Sequence, residues 1–163
     1  MAYQEMLKGL ELKRDMEGSL IASTSGSTPG SDVLVRRIGS VLSWMRTNTN
    51  ASTGATSGVD PTGSDGSGVR TNGTQRAFTE VQLKNVLQSV WVSGGKPDQI
   101  MTGSFNKQVF STFTGRASPI EQAVTKKITA GVDAYESDFG VLKIIPNRFC
   151  RQRDVFAFQT DLW

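Results

Sequence analysis

The chain has 163 residues, 37% hydrophobic and 20% charged, with a net charge of +3, one cysteine and no histidine. That length suits one ordinary domain with a modest core. No run of about 18 apolar residues exists, so the sequence predicts no membrane-crossing helix, and the lone Cys150 rules out both a disulfide and a Cys/His zinc site. Without histidine, Ser-His-Asp and Cys-His catalysis are closed, and only carboxylate or lysine chemistry is left to an enzyme.

Residues 3 to about 23 read as a long helix. Tyr3, Met6, Leu7, Leu10, Leu20 and Ile21 recur near a 3.6 period, and Glu5/Lys8 and Lys13/Glu17 are spaced for ion pairs on a helix surface. The apolar face is thin, as in a helix that lies across a surface and meets other chains, and the pattern fits an ordinary surface helix equally well. A Ser/Thr/Gly loop spans 23–31. The apolar segment 33–46 (Val33, Leu34, Val35, Ile38, Val41, Leu42, Trp44, Met45) is broken by Gly39, and its periodicity fits a short helix or a strand pair. Residues 47–75 differ in kind: 20 of these 29 are Ser, Thr, Gly or Asn. Such a stretch buries too little to offset its ordering entropy, so it is expected to be flexible or to be ordered by a neighbouring chain.

Thr79-Glu80-Val81-Gln82 is a capping box, and Leu83, Val86, Leu87, Val90 and Trp91 then share one helical face, which Gly94-Gly95 and Pro97 terminate. A strand is predicted at 99–102. Ser104 is expected to cap a second helix with Val109, Phe110 and Phe113 inward and Gly115 as its stop. From Ile128 the period becomes two, with Ile128, Ala130, Val132 and Ala134 on one face. Further strands at 141–145 and 155–159 make an antiparallel meander. The fold class is α+β, divided as 1–46, a flexible loop 47–78, and an α+β body 79–163.

The chemical motifs are weak. Gly94-Gly95-Lys96-Pro97 lacks the residues of a phosphate loop, and Asp60 and Asp65 lack calcium-loop spacing. Asn50-Ala51-Ser52 and Asn72-Gly73-Thr74 match a glycosylation triplet that is common by chance. Asp133, Glu136 and Asp138 are the densest carboxylates, better read as solvated strand-end charges than as a catalytic pair. Phe149, Phe156 and Phe158 beside Arg148, Arg151 and Arg153 suggest an alternative function, nucleic-acid binding on a stacking platform at 148–158.

Several stretches together resemble a known family. They are Leu10 to Glu17, Arg37 to Met45 with Thr47-Asn48, Leu83 to Ile100, and Val132 to Gly140 continuing through Ile144-Ile145-Pro146-Asn147-Arg148. In this order they are similar to the Hong Kong 97-type major capsid proteins of tailed bacteriophages, of the phage SU-ten type. The resemblance implies a Hong Kong 97-like fold with a spine helix, axial-domain helices and antiparallel strands. It implies a structural subunit, not an enzyme, that forms hexamers and pentamers of an icosahedral shell around double-stranded DNA. The chain would be made in the host cytoplasm and end in the virion, without cofactor, membrane or small-molecule substrate, and with non-specific DNA contact at most. Such proteins carry an N-terminal arm and an extended hairpin before the spine helix and continue past the last strand found here, so the chain reads as a truncated, incomplete subunit. On this reading Lys13, Arg14 and Glu17 of the spine helix and Arg148 at a strand end are the candidate subunit-interface residues.

Overall fold

The structure is a computed structural model that describes residues 2–51, 58–113 and 133–162. In chain order the elements are α1 (Ala2–Ile21), α2 (Val41–Trp44), α3 (Glu80–Val92), β1 (Gln99–Thr102), α4 (Ser104–Phe110), β2 (Ala134–Ser137), β3 (Gly140–Pro146) and β4 (Val155–Phe158). A 3-10 turn, Thr160–Leu162, follows β4. This is the expected mixture of helices and strands. The chain folds into two compact units, Met1–Arg76 with Phe149–Arg151, and Ala77–Arg148 with Gln152–Trp163.

The second unit holds a four-stranded sheet in the order β2-β3-β1-β4. The antiparallel meander expected of the strands after residue 128 holds for β2/β3 but not beyond: β3 and β4 are not neighbours, because β1 lies between them, parallel to β3 and antiparallel to β4. The reason is the connection between β3 and β4. Residues 147–154 are too long for a tight hairpin, which leaves a slot that β1 fills. Asp98 O accepts from Lys143 N at 2.9 Å and Thr102 O from Asn147 N at 2.8 Å, continuing the slanted parallel ladder at both ends of β1. The central position suits β1, whose Ile100 is fully buried. Asn106 of α4, itself buried, donates through Nδ2 to Gln152 O at 2.8 Å and so steadies the long connection.

Leu83 and Leu87 of α3 pack with Ile100, Phe110, Tyr135, Leu142 and Ile144 to form the core. Burial of each such aliphatic side chain is worth about 1.5–3 kcal/mol. Phe78, Phe110 and Phe113 close one side, with ring centroids 5.1–5.2 Å apart. On β2 Tyr135 is the buried residue and Ala134 is exposed. The larger ring takes the inward place opposite Leu142. The rest of the expected alternation, Ile128 to Val132, lies outside the described residues; α4 departs from expectation at both ends, with Gly103 and not Ser104 at its N-cap and Ser111 at its C-cap, short of the expected Gly115 stop.

The ends of α3 follow from local chemistry. Thr79 Oγ1 accepts from Gln82 N at 3.4 Å, but the Gln82 side chain donates to Ala77 O at 3.2 Å, so the box is not reciprocal. At the other end Gly94 N donates to Trp91 O and Gly95 N to Val90 O, both at 2.9 Å, a complete Schellman motif with Gly94 at φ +85. Trp91 is half-exposed and not a core residue. Its ring lies 5.5 Å from Phe139.

The first unit is built differently. Among its described residues the buried apolar side chains are Leu42 and Cys150, beside the buried Gly26, Gly39, Ser40, Ser43, Pro61 and Gly66. Hydrogen bonds take the place of a large core. Ser27 N donates to Gly66 O at 2.7 Å, Thr28 and Arg37 exchange two bonds at 3.0 Å, and Val59 and Thr71 exchange two at 3.1 Å. Segment 33–46 is thus one strand-like bridge at Arg37 followed by the short helix α2, with elements of both alternatives.

Candidate subunit interface

Ser19 Oγ donates to Asp15 O at 2.8 Å and Ser23 Oγ to Ser19 O at 2.9 Å, tying the last turns of α1 together. Glu17, Gly18, Leu20 and Ile21 are half-buried, whereas every residue from Tyr3 to Met16 is exposed. The helix is therefore anchored by its C-terminal turn, and the stripe of Tyr3, Met6, Leu7 and Leu10 faces solvent. Lys8 pairs with Glu11 at 2.7 Å, which turns it forward along the helix and away from Glu5. Of the four interface candidates, Lys13 and Arg14 are exposed and Glu17 is half-buried on this helix. Arg148, also exposed, belongs to the second unit, two residues beyond β3.

A second apolar surface in the first unit was not singled out by periodicity. Ser31 Oγ accepts from Leu34 N at 3.1 Å and closes a turn that carries Val33, Leu34 and Val35 outward. Val33 is 92% and Val35 85% exposed, with Ile38 exposed beyond them. The available signal was a run of three consecutive aliphatics between Asp32 and Arg36-Arg37 with no inward-outward alternation.

The remaining motifs do not converge. Asp133, Glu136 and Asp138 are all exposed, and Asp133 pairs with Lys107 at 3.0 Å. No group of three acidic, cysteine or histidine residues among the described residues could hold a metal ion. The 148–158 strip is divided: Phe149–Arg151 belong to the first unit, Arg148 and Gln152–Trp163 to the second. Phe156 is buried and its ring lies 5.8 Å from that of Phe158, so it is not presented for base stacking. Arg151 donates to Asn72 Oδ1 at 3.1 Å.

What remains is a chain rich in uncovered apolar surface and poor in chemistry, and its sequence matches the SU10 major capsid protein family over residues 1–163. The chain belongs to that family. It is a structural protein of a bacteriophage capsid, which places it in the virion. A major capsid protein works by assembling with copies of itself, which gives exposed surface of this kind a use. No curated protein matches the chain. Among the described residues no helix is long and apolar enough to cross a membrane.

Proposed function

We propose that this capsid protein is the repeating subunit of an icosahedral shell around the double-stranded DNA of a tailed phage. It is made in the host cytoplasm, has a Hong Kong 97-like fold and groups into hexamers and pentamers. In this reading α1 is the spine helix, and Lys13, Arg14, Glu17 and Arg148 meet neighbouring subunits.

One observation carries the proposal. The first unit presents an uncovered apolar helix face on a body whose buried apolar residues, among the described residues, are Leu42 and Cys150. A unit with so small a core gains stability from burial against neighbours, and closed symmetry repeats each modest contact around the shell. Electron microscopy of native particles and of the purified chain at rising concentration tests it. Rings of five and six subunits, or closed shells with α1 covered by an adjoining copy, are expected. Particles in which α1 stays bare, or a chain that is monomeric at every concentration and absent from the shell, would overturn it.

A further inference from the structure

The Asn72-Gly73 pair is left unused by the capsid role. Asn72 is exposed, and its Oδ1 receives the Arg151 guanidinium at 3.1 Å across 79 residues of sequence. A guanidinium offers only donors, so the side-chain carbonyl, and not the amide nitrogen, faces it. Residue 73 has no Cβ to hinder the approach of its backbone nitrogen to the neighbouring side chain. Asparagine is a thermolabile residue for this reason, its amide being open to attack by the next peptide nitrogen.

We infer that Asn72 is a self-modifying site, an asparagine deamidated by water through a cyclic imide with Arg151 as the activating group. The Gly73 nitrogen bonds to Asn72 Cγ and gives up its proton to solvent. The Cγ–Nδ2 bond breaks, and the nitrogen takes a proton from water and leaves as ammonia. Water then opens the ring. Addition at Cγ gives an aspartyl residue, and addition at the main-chain carbonyl gives an isoaspartyl residue. No electron is gained or lost. Arg151 stabilises the negative charge that builds on Oδ1 during attack, as a preorganised oxyanion donor does. The product carboxylate then meets the same guanidinium, and a hydrogen bond from a cation to a neutral amide becomes an ion pair. The net charge of +3 falls by one. The fastening of residues 149–151 to the loop at 72 tightens with the age of the protein.

Trypsin cuts after Arg70 and Arg76 and releases residues 71–76, whose one asparagine is Asn72. Full-length chain held in mildly alkaline buffer should show that peptide gaining about 1 Da as an amide becomes an acid, split into two chromatographic products. Gly73→Ala should slow the gain about tenfold by hindering attack. Arg151→Gln should slow it about threefold or more in the folded chain, Arg151→Lys should restore part of the rate, and in strong urea the parent and Arg151→Gln rates should coincide. A purely structural role for Arg151 gives the opposite sign, because a loosened fold deamidates faster. An unchanged 71–76 peptide, or an Arg151→Gln rate equal to or above the parent rate in the folded chain, would overturn the inference.

Discussion

The Arg70 guanidinium meets the Asp60 carboxylate at 2.5 Å, and this pair closes the least apolar stretch of the chain. The same guanidinium donates to the main-chain oxygens of Leu42 and Met45, and Thr49 Oγ1 donates to the other Asp60 oxygen at 2.8 Å. Arg76 acts in parallel on Asn50 and Ala51. Two arginines thus gather carbonyl groups that a loop of Ser, Thr and Gly would otherwise leave to water.

Arg70→Gln should therefore destabilise the first unit by about 2 kcal/mol. Its side chain is mostly buried while Asp60 is about one-third exposed, which places the loss below that of a fully buried pair. Urea unfolding followed by Trp44 emission measures it. An unchanged midpoint, with unchanged protease sensitivity of residues 58–76, would refute the role.

Gly66 sits at φ +71 beneath the Trp44 indole, and an added Cβ would run into that ring. Gly66→Ala is expected to cost about 2 kcal/mol from strain and overpacking together. Trp44 fluorescence should shift to the red as the ring is displaced, and a spectrum identical to the parent's would argue against the contact.

Tyr135 donates its hydroxyl to Glu80 Oε1 at 3.1 Å, and Lys84 holds the same carboxylate oxygen at 2.8 Å. Burial, aided by the Glu80 hydrogen bond and the negative charge of Glu80 and Asp138, pushes the phenol up to about 12. The unfolded phenol ionises near 10. Between those values the folded state keeps a proton that the unfolded state has lost, so stability is level below about pH 10 and falls as pH rises toward 12. A spectroscopic phenolate titration should show one tyrosine lagging the other. Tyr135→Phe should remove the lag and cost about 1 kcal/mol near neutrality.

Leu10→Glu and Arg14→Glu change residues that touch little within the chain. Each should leave unfolding within about 0.5 kcal/mol of the parent. Each should raise the concentration needed for assembly about tenfold, the equivalent of about 1.4 kcal/mol per subunit. Light scattering separates the two quantities, and particles forming at the parent threshold would remove both residues from the interface.

Much of the second unit was legible in the sequence because its signals are local. Thr79 and Gly94 mark the ends of α3 through hydrogen bonds made within a few residues, and β1 and the start of α4 fall within a residue of where their punctuation puts them, whereas α4 ends at Phe110, short of Gly115. The sheet order was not legible. Nothing near Gln99–Thr102 announces a partner forty residues later, and the slot it fills is created by the length of another connection. Tyr135 shows the same limit: a period of two gives a strand two faces, and only the packed core decides which is inside. In the first unit, Arg70 and Asp60 carry opposite charges ten residues apart, a spacing with no regular structure to make it meaningful. Lys13, Arg14, Glu17 and Arg148 were chosen by resemblance, and a single copy of the chain holds no neighbour to touch them.

Neither unit is a continuous stretch of chain. The first takes Phe149–Arg151 from deep within the later sequence, and Cys150 is among its buried apolar residues. After Arg76 leaves the ribosome, residues 77–148 must follow before Phe149–Arg151 can complete that unit. The exposed face of α1 thus exists before the unit that carries it is complete. A delay of this kind leaves newly made chains open to premature association, and the three-residue return is what ends it.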